Sequence, residues 1–179
     1  MNDIGKYLLR DGTVTDRMPK PRHVLGVIFD ETDTEYVFLP LADIDCHRSY
    51  ELQEIIDIGE AYNLSHGHRY LHWKVPTLED WQLIIGRLGQ TEVIGREELS
   101  MGDRMEEWTE FDADTAMPHL STYHLLPGKF YWSCSTQYAD EVYLLDLESG
   151  VIEAFPVWDD GELYDYALRM VGRMKKMAW

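Results

Sequence analysis

The segment WKVPTLEDWQLII, which runs from Trp73 to Ile85, constrains the fold more than any other part of the chain. Pro76 ends a preceding strand and fixes the angle at which the chain enters the next element. Thr77 can accept a backbone N–H bond, and Asp80 lies three residues further on, which is the spacing of a capping box. The segment therefore predicts a strand, a sharp entry and then a helix over Leu78 to Leu88.

Two amphipathic helices are predicted from the spacing of apolar residues. The later helix packs its Trp81 face against a sheet and ends at Gly89. An earlier helix is predicted over about Tyr50 to Tyr62. Its apolar face is formed by Leu52, Ile55, Ile56 and Gly59.

The other apolar runs are typical of β-strands. The first run, YLLRDGTVTD, is predicted to be a hairpin with Asp11-Gly12 as its tight turn. The other runs are HVLGVIFD, EYVFLPLA, KFYWSCST, EVYLLDL, GVIEAFPVW and DYALRMVGRM. Between Gln90 and Pro118 the pattern loosens: REELSMGDRMEEW suggests a short helix and TEFDADTAMP a loop. This order predicts an α+β fold with two helices on a small antiparallel sheet and a long irregular loop region.

Length and charge exclude several classes of protein. With 179 residues, the chain is predicted to form one domain over 1–179, with an N-terminal hairpin extension over 1–23. The net charge of −17 argues against nucleic acid and against an anionic membrane surface as partners. No apolar run approaches the roughly 18 residues of a membrane span. The start MNDIGKYLLRDG lacks the pattern of a signal peptide, so either that export route is not used or a leader has been removed.

The two cysteines, Cys46 and Cys134, match no zinc-binding spacing and cannot form a disulfide-dense framework. Two alternatives remain open from the sequence. The cysteines form a single disulfide, or both are reduced and buried thiols.

Several short motifs together resemble a known family. WKVPTLEDWQLI resembles the W-x-[LV]-P-T-x-x-[ED]-[WL] segment of the C-terminal domain of collagen-like adhesins, the Lcl C-terminal domain family, and of the related Fibrobacter major paralogous domain. YWSCSTQYADEVYLLDLESGVI is similar to their YWSS strand pair, GVIFD to their early GVVF strand, and YALRMVG to their closing VR-x-V strand. The resemblance covers about Val24 to Val171.

The resemblance implies a C-type-lectin-like fold whose long-loop region, here 90–128, binds ligands on its outer face. It also implies a setting, because such domains occur in bacterial surface proteins, pilus-tip-like adhesins and phage receptor-binding proteins. The calcium-lectin triplets EPN, QPD and WND are absent. A more distant similarity to formylglycine-generating enzymes lacks its paired catalytic cysteines, since no cysteine follows Cys134.

Two groups of residues are candidate metal sites. The first group is His66, His68 and His72. In an extended segment the imidazoles of His66 and His68 share one face, as metal ligands would, but a polar loop before a strand explains these histidines as well. Glu110, Asp112 and Asp114 alternate as calcium ligands do, but lack the glycine and the bidentate glutamate of an EF-hand loop. The sequence therefore predicts no metal centre and no cofactor, with calcium at the acidic loop as the alternative.

Aromatic residues beside carboxylates form the predicted ligand-binding site. Such rings stack on sugars or peptides while carboxylates anchor polar groups. The predicted ligand-binding residues are Trp108, Asp112, Asp114, Tyr138, Trp158, Asp159 and Asp160. In contrast, Trp73, Trp81 and Trp132 belong to the family motifs and are predicted to be core residues.

Nothing in the sequence indicates catalysis. Ser133, Cys134 or Ser135 beside His124 would suit a nucleophile and base, but no nucleophile-elbow or oxyanion motif surrounds them. The predicted function is thus a non-enzymatic adhesion or receptor-recognition module of a bacterial surface protein or a phage virion, extracellular or virion-associated, that binds a glycan or a protein. The alternatives are a structural assembly subunit and a formylglycine-generating-enzyme-like enzyme; the sequence does not determine the oligomeric state.

Overall fold

The computed structural model describes residues 2–18, 20–46, 51–100, 104–139, 141–156 and 166–176. The strands are β1 (Tyr7–Leu9), β2 (Val14–Thr15), β3 (Val24–Glu31), β4 (Glu35–Leu39), β5 (Asp45–Cys46), β6 (Leu71–Lys74), β7 (Val93–Leu99), β8 (Met105–Phe111), β9 (Phe130–Thr136), β10 (Glu141–Asp146), β11 (Val151–Pro156), β12 (Tyr166–Leu168) and β13 (Val171–Lys175). The α-helices are α1 (Leu52–His66), α2 (Leu78–Leu88) and α3 (Ala113–Leu120).

The described strands form two sheets beside three α-helices, which confirms the predicted α+β class but not the predicted arrangement of two helices on one small antiparallel sheet. The first sheet has the order β2-β1-β3-β4-β13-β6 and is antiparallel throughout. The second has the order β5-β12-β9-β10-β11-β8-β7, with one parallel pair, β12 and β9. Of the helices formed by the described residues, none is both long and apolar enough to cross a membrane.

Helix α2 has the bounds and the cap that the sequence predicts. The Thr77 hydroxyl accepts the Asp80 N–H at 3.2 Å, and the Asp80 carboxylate accepts the Thr77 N–H at 2.8 Å. Trp81 is fully buried, and its indole N–H donates to the Trp132 carbonyl of β9 at 3.1 Å. The three tryptophans predicted as core residues, Trp73, Trp81 and Trp132, are all buried. The opening motif therefore joins a helix to the second sheet.

Helix α1 begins two residues later and ends four residues later than predicted. Its first turn carries a capping box between Glu51 and Glu54, and its last residue is His66. Gly67 closes the helix by donating its N–H to the Asn63 carbonyl at 2.7 Å. The apolar spacing identified the helix but not its ends, because the capping box at Glu51 and the polar last turn to His66 are not part of the apolar face.

The region predicted as irregular contains regular structure. β7 and β8 pair over seven residues each, from Val93 opposite Phe111 to Leu99 opposite Met105, where the sequence suggested a short helix. The predicted loop TEFDADTAMP forms the end of β8 and the start of α3. Pairing of β8 with β11 explains the first difference, because tertiary pairing overrides the local preference of a charged run.

The predicted strand DYALRMVGRM is divided between the two sheets. β12 lies in the second sheet and β13 in the first, with Arg169 and Met170 between them. Arg169 is 1 % exposed, and its guanidinium binds Asp43 Oδ1 at 2.6 Å and the Tyr123 and His124 carbonyls at 2.8 Å. These bonds hold the point where the chain changes sheet.

Two cores lie against the sheets. The first is built around α2 and includes Phe29, Trp81, Leu120 and Tyr143. The second contacts α1 and includes Phe38, Ile55, Trp73 and Trp132. Adjacent residues of one strand enter different cores, as Tyr131 and Trp132 do on β9, because side chains alternate across a strand. The N-terminal hairpin continues the first sheet through the pairing of β1 with β3.

Candidate functional site

A polar concave surface opens where β8 separates from β11. Within the described residues, these two strands pair at two positions only, Val151 with Glu110 and Ile152 with Thr109. Toward its start, β8 remains paired with β7 but is no longer paired with β11. The gap is a direct consequence of this short pairing.

Three adjoining depressions, of about 200, 370 and 360 Å³, make up this surface, and all three are lined by Glu107. We call it the hairpin groove. One wall is β8, another is the first turns of α2, and the third is formed by β9, β10 and β11. Its aromatic residues are Trp108, Tyr138 and Tyr143. Carbon surface and charge therefore occur side by side within it.

Hydrogen bonds hold the aromatic side chains of the hairpin groove in place. The Tyr138 hydroxyl and the Gln137 amide both donate to the Met105 carbonyl, at 2.8 and 2.6 Å. The Trp108 indole N–H donates to Glu110 Oε1 at 2.9 Å. Both rings are half-buried, so each presents a fixed apolar surface together with an accessible edge.

The hairpin groove is strongly negative. Its described lining contains six carboxylates against two guanidinium groups, a formal excess of four negative charges. The carboxylates belong to Glu79, Glu97, Glu106, Glu107, Glu141 and Glu153, and the guanidinium groups to Arg96 and Arg104. Burial raises the pKa of the Tyr143 phenol, and the charges of Glu107 and Glu141 raise it further. Desolvation, and then the charge of Asp146, raise the pKa of the Glu153 carboxyl.

Of the predicted ligand-binding residues, Trp108 and Tyr138 line the same depression of the hairpin groove. Asp112 is instead the N-cap of α3, where it accepts the Thr115 hydroxyl at 2.6 Å. Asp114 is exposed in the first turn of α3. The remaining three, Trp158, Asp159 and Asp160, lie outside the described residues.

Two of the acidic positions considered for calcium, Glu110 and Asp112, already have protein partners. Trp108 and Arg96 donate to Glu110, both at 2.9 Å, and these bonds lower the pKa of its carboxyl. The side-chain and backbone hydrogen bonds from Thr115 lower the pKa of Asp112. Among the residues that the structure describes, no three His, Cys, Asp or Glu side chains are grouped so that they could hold a metal ion.

A metal site at the histidines required an extended segment from His66 to His68, and the structure does not form one. His66 is helical and stacks on Tyr62, with ring centroids 4.1 Å apart, whereas His72 lies on β6. His68 accepts the Tyr70 N–H through Nδ1 at 3.3 Å. His66 and His68 therefore do not share an extended segment, because α1 continues to His66.

The candidate nucleophiles have structural contacts. Ser133 is fully buried and donates to the Ser135 carbonyl at 3.4 Å, while the Ser135 hydroxyl accepts the Leu78 N–H at 2.9 Å at the start of α2. Cys134 is a free thiol whose pKa is raised by burial, which disfavours the reactive thiolate. The side chain of Cys46 lies outside what is described.

A second, larger depression of about 460 Å³ has mainly apolar walls, including Leu25, Pro40, Tyr62 and Trp73. We call it the apolar pocket. Tyr62 and Trp73 meet edge-on within it, with ring centroids 5.5 Å apart, and His124 also lines it. His124 thus borders a different cavity from the hairpin groove that holds Trp108 and Tyr138.

Several residues of the hairpin groove were missed by sequence reasoning, namely Arg104, Glu107, Glu141 and Tyr143. The first two lie in or beside MEEWTEF, where the sequence suggested a short helix, and the glutamates that β7 and β8 place opposite each other give no local signal for that pairing. No local signal brings β10 to β8, because that proximity depends on the order of strands in the second sheet.

Comparison with protein-family models and with curated proteins finds no match to this chain.

Proposed function

We propose that this chain is a ligand-binding module that recognises a glycan or a protein on another surface through the hairpin groove. The proposal includes a C-type-lectin-like fold related to the Lcl C-terminal domain. The α+β class and the chain order of β6, α2, β9, β10 and β13, which carry the resembling motifs, support that assignment. The setting proposed is a bacterial surface adhesin or a virion receptor-binding component.

The observation that carries the proposal is the meeting of Trp108 and Tyr138 in one depression. Each ring is held by a hydrogen bond and is only half-buried, so both offer area for stacking with little loss of side-chain freedom. Carboxylates around them supply acceptors for hydroxyl, amide or cationic groups. β8 belongs to the 90–128 region in which the resemblance expects ligands to bind.

The proposed role is binding without catalysis and without a resident cofactor. Ser133 and Ser135 are engaged in holding β9 and the start of α2. The Cys134 thiol is half-buried, and its Sγ lies 3.6 Å from the Val75 carbonyl oxygen. These contacts favour a structural role for the segment that most resembles the family.

An array of glycans and of peptides with different charge tests the proposal, probed with labelled protein in calcium and again in EDTA. We expect a selective set of spots for the wild type, which Trp108→Ala loses. Tyr70→Ala is the matched control, since Tyr70 is an exposed aromatic residue that lines neither described cavity. No selective binding in either buffer, or equal binding by Trp108→Ala, would contradict the proposed function.

A further inference from the structure

The hairpin groove already holds a guanidinium group from its own chain. Arg104 Cζ lies 4.1 Å from the centroid of the Tyr138 ring, and Arg104 Nη1 lies 3.7 Å from Glu141 Oε1. A flat cation over an aromatic face, with a carboxylate at its edge, is a favourable arrangement for arginine. These contacts show that the walls of the hairpin groove fit a guanidinium group.

The Arg104 side chain is accessible to a competing ligand. Its side chain is 51 % exposed, and exposed ion pairs and exposed cation–π contacts contribute little to stability. Its backbone carbonyl separately accepts the Ser100 N–H and hydroxyl at 2.8 and 3.1 Å, which anchors the strand end independently of the guanidinium. Displacement of the side chain therefore does not require the hairpin to open.

The hairpin next to Arg104 carries like charges in direct opposition. Glu97 lies opposite Glu107, and Glu98 lies opposite Glu106. Like charges at such positions destabilise a strand pair. Arg96 does not relieve them, because its guanidinium binds Glu110 at 2.9 Å. A cationic ligand would reduce the repulsion between these opposed glutamates.

We propose that the hairpin groove binds an extended, arginine-bearing segment of a partner protein, whose guanidinium takes the position on Tyr138 and Glu141 that Arg104 occupies in the free chain. This inference rests on the proposed function and names the class of its ligand. Charge complementarity favours a cationic protein segment over a neutral glycan, since a glycan hydroxyl leaves the opposed carboxylates uncompensated. Arg104 is then an internal competitor of the ligand.

The probe is a fluorescein-labelled peptide of alternating glycine and arginine with blocked ends, measured by fluorescence anisotropy at about 0.15 M salt, where screening limits non-specific attraction. The same peptide with citrulline in place of arginine keeps the shape and removes the charge. We expect the citrulline peptide to bind at least about tenfold more weakly, because it lacks both the ion pair and the cation–π contact.

Two substitutions in the hairpin groove have opposite expected effects. Tyr138→Ala removes the stacking surface and should weaken arginine-peptide binding about fivefold. Arg104→Ala removes the competitor and should tighten it about threefold. Glu141→Gln should weaken it, as Tyr138→Ala does. Urea unfolding of each variant establishes that it is folded under the binding conditions.

The chain offers a matched control pair outside the groove. Arg69 Cζ lies 5.3 Å from the centroid of the Tyr70 ring, so Arg69→Ala and Tyr70→Ala make the same changes in charge and area as the test variants. Both controls should bind the arginine peptide as the wild type does. If binding is equal for the citrulline peptide, equal for Tyr138→Ala and Tyr70→Ala, or weaker for Arg104→Ala, the inference is overturned.

Failure of this inference is distinguishable from failure of the proposed function. Selective array binding that Trp108→Ala abolishes, without preference for arginine over citrulline, leaves a binding module whose ligand is not an arginine segment. Absence of both array binding and arginine-peptide binding removes both proposals.

Discussion

Charged side chains are arranged in opposite ways at the start of α2 and along the paired strands β7 and β8. At the start of α2, the Asp80 carboxylate is almost fully buried, accepts two bonds from Thr77 and pairs with Lys74. Along β7 and β8, Glu97 and Glu107 face each other while largely exposed. The first arrangement lowers the energy of the fold, whereas the second raises it.

This difference separates residues that hold the fold from residues available to a ligand. Buried charges are tolerated only when they are paired and hydrogen-bonded, and the described ones at α2 and at Arg169 meet that condition. Arrangements of charge that do not stabilise the fold concentrate at functional sites. In the hairpin groove, opposed like charges lie beside aromatic rings that hydrogen bonds hold in place.

Removing Arg169 should have the largest effect on stability. Arg169→Ala leaves Asp43 and the Tyr123 and His124 carbonyls without their guanidinium partner, so we expect a loss of about 3–5 kcal/mol. Urea unfolding measures it. Arg173→Ala, at an exposed position of β13, should stay within about 0.5 kcal/mol of the wild type. Similar losses for the two variants would contradict the role assigned to Arg169.

Breaking the cap of α2 should have an intermediate effect. Thr77→Ala removes the hydroxyl that accepts the Asp80 N–H and donates to its carboxylate, with an expected loss of about 1–2 kcal/mol. Thr77→Ser keeps the hydroxyl and should remain close to the wild type. Chemical denaturation of both variants checks the expectation, and an equal loss for serine and alanine would show that the methyl group matters instead.

A smaller effect is expected from acid. Hydrogen bonds from Lys176 and the Asp3 N–H lower the pKa of Glu31 below its ordinary value of 4.5. A carboxyl with a lowered folded-state pKa stabilises the fold above its unfolded pKa, and that contribution is lost as pH falls through the folded pKa. The wild type should therefore lose more stability below pH 4.5 than Glu31→Gln does. Urea midpoints over an acidic pH series test this; parallel profiles would contradict it.

Local chemistry explains which parts of the fold the sequence predicts well. The bounds of α2 follow from Thr77, Asp80 and the apolar face behind them, all within twelve residues. The turns at Gly12 and Gly150 have backbone φ angles of 84° and 75°, as expected where glycine follows Asp11 and Ser149. Each signal is complete within a short segment, so distant contacts do not alter it.

Distant contacts explain the errors. The charged runs of β7 and β8 suit a helix surface as well as a strand, and their pairing with each other and with β11 decides between the two. Likewise, the division of DYALRMVGRM depends on carbonyls near residues 40 and 123, which bind Arg169 across the chain. Trp108 and Tyr138 were identified by residue type, but their meeting in one depression depends on the strand order of the second sheet.

The free energy of unfolding of Glu107→Gln tests most directly whether the hairpin groove is kept for binding at a cost to stability. Because the substitution removes one member of the opposed Glu97–Glu107 pair, we predict a gain of about 0.2–1 kcal/mol in urea unfolding. Glu92→Gln removes the same charge from an exposed position before β7 and should not produce that gain. A Glu107→Gln variant less stable than the wild type would show that this carboxylate supports the fold, and would contradict the account.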